Sequence, residues 1–291
     1  VNLKTFIRNS LIYMNLIREK KQKEICELPK GNRISSVSVK LKKNRKQNKK
    51  NMPNVVRKLF RTCNEVFTTY EAGTVPSSSD IERLKVILDS MGPADVGLTS
   101  DMPYFRRIDS EGSPPITYLH LYESEKFSIG IFCLPPSAVI PLHNHPGMTV
   151  FSKLLFGSMH IKSYDWTELS GNANGNLDPP QPTGVRLAEV KVDCVFNAPC
   201  NTSILYPADG GNMHCFTAMT SCAVLDVLGP PYSNAEGRHC TYYQDFPYKS
   251  FPGEVRSVAE NEREGYVWLE EREKPDDFNV VGAMYRGPKV R

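Results

Sequence analysis

From about residue 115 the hydrophobic positions fall in short runs rather than along a helical stripe. ITYLHLY, FSIGIFCL, TVFSKLLF, SMHIKSYDW, VRLAEVKV, TSILYP, MHCFTAM and CAVLDVL follow one another. β-Branched and aromatic residues fill these runs, and turn residues separate them: Pro135-Pro136, Pro146-Gly147, Gly157-Ser158 and PADGGN. Many short strands with such punctuation predict a β-sandwich or β-barrel. The polar stretch SGNANGNLDPPQPTG at 170–184 reads as an exposed loop, and VWLEE as one late strand or helix. No internal repeat is evident.

Upstream the period changes to that of a helix. Val56, Leu59, Phe60, Cys63 and Phe67 recur at helical spacing. In SDIERLKVILDSMGP, Ser79 and Glu82 match a capping box, and Ile81, Leu84, Leu88 and Met91 line one face. Gly92-Pro93 ends that helix. The expectation is a mainly β chain with a few N-terminal helices at about 52–100.

Charge divides the chain. Residues 1–51 hold fifteen Lys/Arg and three Glu, so they carry +12 and the remainder carries −8. The run KLKKNRKQNKK at 40–50 reads as a disordered basic tail or as a nucleic-acid or nuclear-import patch. The chain starts with Val1, and Met52 opens a sensible helical beginning, so residues 1–51 are expected to be a basic extension or a gene-model artefact. Residues 52–291 are expected to form one domain. No run of about 18 apolar residues predicts a spanning helix. The eight cysteines form no C-x-x-C, which argues against a zinc finger and for buried reduced thiols.

The chemistry concentrates in PLHNHPGMTV. His143 and His145 stand two apart in an apolar run, and a strand would point both to one face. One buried histidine is most often a satisfied core residue. Two in H-x-H suggest a metal site. YPADGGNMHCF then brings His214 just after a Gly-Gly turn. Together, H-x-H, Gly157 and P-x-x-G-G-x-x-H resemble the two signature motifs of the cupin superfamily, whose fold is a double-stranded β-helix or jelly-roll barrel. That superfamily often places a Glu three to five residues after the second His. Here those positions are Met148, Thr149 and Val150. The expected metal site is therefore His143, His145 and His214, without a carboxylate. Imidazoles alone do not choose among Fe, Cu, Ni and Zn. Three neutral ligands leave a ferrous ion one charge more positive than a site with one carboxylate, which favours a thiolate co-ligand.

The segments IPLHNHPGMTVFSKLLFGSMHIKSYDW, LDVLGPPYS, GRHCTYY and YRGPKV resemble the plant cysteine oxidases, in the cysteamine-dioxygenase-like branch of the thiol dioxygenases. The likeness covers roughly residues 52–291. It implies an Fe(2+) cupin enzyme that uses O2 as co-substrate. Its substrates would be proteins with an N-terminal Cys, typically group VII ethylene-response transcription factors. Oxidation to the sulfinic acid would feed the N-degron pathway as an oxygen-sensing step. The resemblance further implies a monomer of the cytoplasm and nucleus that contacts neither membrane nor nucleic acid. Animal free-cysteine dioxygenases carry a crosslinked Cys five residues after the second His; Val150 stands there, so free cysteine is the less expected substrate.

Asp226, inside CAVLDVLGPP, must be hydrogen-bonded, paired or protonated if buried. The resemblance makes it a residue that meets the substrate amine. Tyr232 is a packed loop aromatic or, by the resemblance, a hydroxyl near the substrate. Cys240 and Tyr242 are weaker pocket candidates. His120 and His160 are expected to be ordinary strand residues, and His239 to border the entrance at most. The alternatives are a dioxygenase for a small thiol such as cysteamine, a zinc enzyme that activates water, or a non-enzymatic cupin binding protein.

Overall fold

Buried side chains recur along α1 (Val55–Phe67) at the helical period: Val56, Leu59, Cys63, Val66 and Phe67. Asn54 caps it, its side chain accepting from the backbone N–H groups of Val56 and Arg57. The computed structural model describes residues 54–106, 113–167, 184–250, 258 and 263–291. The basic run at 40–50 and nearly all of the polar stretch at 170–184 lie outside the described residues.

The second helix, α2 (Ser78–Asp89), starts earlier than the sequence reading has it. Its cap is Ser77, not Ser79: the Ser77 hydroxyl accepts from the Asp80 N–H and donates to the Asp80 carboxylate. The Tyr70 hydroxyl accepts from the Ser77 N–H and donates to the same carboxylate. Cap and carboxylate are thus joined through a tyrosine seven to ten residues back, a partner that local spacing does not reveal.

Twelve strands follow among the described residues. They are β1 (Ile116–Glu123), β2 (Ser128–Leu134), β3 (Val139–His143), β4 (Thr149–Phe156), β5 (Ser158–Trp166) and β6 (Val185–Asn197). Then come β7 (Ser203–Leu205), β8 (Met213–Ala218), β9 (Cys222–Gly229), β10 (Tyr242–Pro247), β11 (Tyr266–Arg272) and β12 (Val280–Met284). VWLEE resolves as strand β11. One sheet runs β12-β1-β2-β9-β4-β7; the other closes on itself as β10-β11-β6-β5-β8-β3. The closure is one residue pair, Tyr242 against His143. This is the mainly β barrel architecture expected from the strand pattern, and the one that the cupin-like histidine motifs imply.

The open sheet is buried on both faces, which explains why β2, β4 and β9 read as nearly continuous apolar runs. Ile129, Ile131, Leu225 and Val227 point outward into a cluster with Leu59, Phe67, Leu84 and Leu88 of the helices. The alternate residues point inward, toward the closed sheet. Gly130, Asp226 and Ser152 stand opposite one another across β2, β9 and β4. Asp226 therefore faces inward because its neighbours Leu225 and Val227 face the helices. Phe67 fixes the end of β9: a Cβ on Gly229 would lie 2.0 Å from its ring. No helix among the described residues is long and apolar enough to cross a membrane.

Candidate metal centre

His143 and His214 are direct partners across β3 and β8. His145 is not on a strand. The ladder of β3 stops at His143, and a different set of bonds carries the next two residues. The Asn144 N–H donates to the Thr241 carbonyl, and the Thr241 N–H donates to the Asn144 side chain. The His145 N–H donates to the Asn212 side-chain oxygen, whose amide donates back to the His145 carbonyl. Pro146-Gly147 then turns the chain, with Gly147 at φ +66. The two-residue strand period thus predicts the convergence correctly for a different reason: paired side-chain bonds hold His145, where the ladder has ended.

The three rings meet with centroids 4.7 to 4.9 Å apart, and all are buried. One nitrogen from each lies within 4.8 Å of the others. Hydrogen bonds select two of those nitrogens, on His143 and His145. His143 Nδ1 donates to the Pro141 carbonyl at 2.8 Å, leaving Nε2 with its lone pair. The Tyr232 hydroxyl lies 2.7 Å from the Asn144 carbonyl and 2.9 Å from His145 Nδ1. Its single proton goes to the carbonyl, which can only accept, so the oxygen accepts from His145 Nδ1–H. His145 Nε2 then keeps its lone pair and faces His214 Nε2 at 3.4 Å. Lone pairs aimed into one small space suit a cation.

Burial lowers the affinity of all three imidazoles for protons, most strongly for His145 and His214. The rings are therefore neutral and need lose no proton to ligate. No carboxylate among the described residues joins them. Asp226 lies on the facing sheet, and Ser152 donates to its Oδ1 at 2.6 Å. Burial raises the Asp226 carboxyl to about 6, with Ser152 pulling the other way.

Two residues that the sequence reading omits hold this geometry. Asp165 is buried and accepts from the N–H groups of Gly211 and Asn212, pinning the Gly-Gly turn that leads to His214. Asn212 ties that turn to His145 and to the Tyr206 carbonyl. Asp165 stands between Tyr164 and Trp166 at the end of SMHIKSYDW, and a carboxylate flanked by aromatics on a strand is a weaker form of the signal that singles out Asp226.

A cavity of about 380 Å³ opens onto the three histidines between the sheets. Asp226, Tyr232, Cys240 and Tyr242 all line it, with Tyr118, Phe132 and Phe216 among the others. Cys240 is within hydrogen-bond reach of the Tyr232 and Tyr242 hydroxyls, and burial raises its thiol pKa. The remaining histidines do not join the trio. His160 meets Asp193 at 2.8 Å, His239 is exposed, and His120 lies 3.9 Å from Glu123 near the cavity mouth. The seven described cysteines are free, and burial pushes Cys133 and Cys222 up to about 12, so both are protonated packing residues.

The PCO_ADO family model matches residues 87–290. Plant cysteine oxidase 2 of Arabidopsis thaliana is 57% identical over 265 residues, covering 90% of this chain and 93% of its own. Plant cysteine oxidase 1 of the same plant is 61% identical over 243 residues, covering 81% and 80%. The human 2-aminoethanethiol dioxygenase is more distant, at 33% over 225 residues, 72% of this chain and 81% of its own. With three neutral imidazoles at the floor of a cavity and these relatives over most of its length, the chain belongs to the PCO_ADO family of thiol dioxygenases.

Proposed function

We propose that the protein is an iron(II)-dependent dioxygenase that oxidises the N-terminal cysteine of regulatory proteins to cysteine sulfinic acid. The carrying observation is the all-imidazole trio of His143, His145 and His214 facing a roomy cavity. A divalent ion among three neutral ligands keeps its full charge, and a substrate thiolate offsets it. Iron(II) held there supplies the redox chemistry that brings the thiolate and O2 together. Two S–O bonds form, sulfur gives up four electrons and O2 takes them, so no outside reductant enters. The product is on the irreversible side of the cysteine oxidation ladder.

The chain's own residues position the reactants. Tyr232 holds His145 in the tautomer that presents Nε2. Asp226, ionised above about pH 6, receives the substrate ammonium from the facing sheet. Tyr242 and Cys240 close the same wall of the cavity as Tyr232. The plant relatives' name supports cysteine as the residue oxidised. Group VII ethylene-response factors are the substrates this reading names, with the N-degron pathway downstream and work in the cytoplasm and nucleus.

A second reading, a dioxygenase for a small aminothiol, draws on the name of the human relative. Metal analysis after anaerobic purification, followed by parallel turnover of a Cys-initiating peptide, cysteamine and free cysteine, separates them. Iron and a clear preference for the peptide are expected. Zinc, or a preference for cysteamine, overturns the proposal.

A further inference from the structure

Tyr118 lies on the cavity wall opposite the trio and is assigned no role above. Its position depends on a glycine. A Cβ on Gly130 would lie 2.4 Å from both the Tyr118 hydroxyl and its Cε2. The tyrosine ring therefore occupies the space that any larger residue on β2 would fill. Gly130 is itself the register partner of Asp226, so this space adjoins that carboxylate.

The Tyr118 hydroxyl has no hydrogen-bond partner among the described residues, and the ring lies against Gly130 with Phe132 at 5.0 Å and His120 at 6.3 Å between centroids. Burial and the nearby charges of Glu123 and Asp226 keep the phenol protonated, so it is a donor at any working pH. One donor without an acceptor thus faces a substrate cavity.

The same strand marks the way out. The pairing of β1 with β2 shifts between His120 and Tyr122, a bulge that re-aims the residues beyond it. After the shift, Glu123 pairs with Ser128, and both line the cavity with Tyr118 and Asp226. Without the bulge, strict alternation would turn Glu123 to the other face from Tyr118. The wall therefore runs from Asp226, past the Tyr118 hydroxyl, to the exposed Glu123.

We infer that Tyr118 is a specificity-determining residue: its hydroxyl donates to the first peptide carbonyl of a substrate whose cysteine is held at the trio. The inference rests on the peptide reading above. An aminothiol has no such carbonyl, so the contact distinguishes a protein N-terminus from a small thiol. Gly130 is the residue that makes room for it.

The experiment is a cycle with one protein change and one substrate change. The iron-loaded protein and Tyr118→Phe, which keeps the ring, are assayed on a Cys-initiating peptide and on the same peptide with a trans-alkene in place of its first peptide bond. Cysteamine is the third substrate. On the natural peptide, Tyr118→Phe is expected to lower kcat/KM roughly three- to tenfold through KM, the size of one hydrogen bond. On the alkene peptide the two proteins should differ by less than about twofold, and the loss on cysteamine should be smaller than on the natural peptide. Equal losses on all three substrates would assign Tyr118 a structural role and overturn the inference, as would no loss on the natural peptide. Gly130→Ala gives a second arm, because it displaces the ring: it must reproduce the preference for losing the natural peptide. If the unaltered protein oxidises cysteamine and not the peptide, the peptide reading fails and this inference fails with it.

Discussion

Tyr232 carries one hydroxyl proton, and its neighbours decide where that proton goes. The Asn144 carbonyl takes it, and His145 donates to the oxygen. Tyr232→Phe removes both bonds and frees the His145 ring to adopt the wrong tautomer. Metal affinity is expected to fall about 10- to 100-fold, as for other groups that orient metal-bound histidines, which a competitive chelator titration measures. Asp226 gives a pH prediction. Its folded carboxyl is at about 6 against an ordinary value of 3.8. The folded state therefore binds the proton more tightly, and stability declines as pH rises from about 4 to 6, by on the order of 3 kcal/mol. The buried neutral histidines act in the opposite sense, losing stability as pH falls below about 6.5. The Tm difference between the metal-free protein and Asp226→Asn isolates the carboxyl: it should move in favour of the asparagine variant between pH 4 and 7, and a flat difference contradicts it. The histidines and Asp226 were legible because a polar residue in an apolar run has few other uses, and Tyr232 was legible only through the family resemblance. Asn212 and Tyr118 were not, because Asn212 acts on backbone 67 residues away and Tyr118 depends on the absence of a side chain at Gly130.

Turns as well as strands set the candidate metal centre: His143 and His214 pair across β3 and β8, while His145 follows the end of β3. Asp165 accepts three hydrogen bonds from two backbone N–H groups at the Gly210-Gly211 turn. Gly211 sits at φ +80, and a Cβ there would lie 2.4 Å from the Ser163 hydroxyl. Asp165→Ala leaves buried N–H groups without an acceptor and is expected to cost about 1–3 kcal/mol, with His214 displaced and metal affinity reduced. Thermal unfolding and metal titration on the same preparation check both effects. Phe67 of α1 presses on Gly229, three residues before Tyr232. Phe67→Ala should cost about 3–5 kcal/mol, read from denaturant unfolding. The hydrophobic pattern foretold both helices and the run of strands. It missed the true cap of α2 because Tyr70 completes that cap, and it put His145 on a strand because a periodic pattern does not show where the ladder ends.

The described residues from 54 onward form a sheet packed on one side by helices and on the other by a second sheet that closes through Tyr242 and His143. That closure sets the trio on one wall and Asp226 on the other, with a cavity of about 380 Å³ between. Strand count and punctuation made the fold class readable. Which strand joins which was not readable, since register depends on contacts between residues far apart in the chain. The central claim is that both atoms of one O2 reach the sulfur of an N-terminal cysteine at the three-histidine site. Its most direct test is mass spectrometry of a Cys-initiating peptide after incubation with the iron-loaded protein under ¹⁸O2. The account predicts a sulfinic acid carrying two ¹⁸O atoms, formed by the unaltered protein and not by His214→Ala. A product with one labelled oxygen, with oxygen from water, or with a disulfide would contradict it.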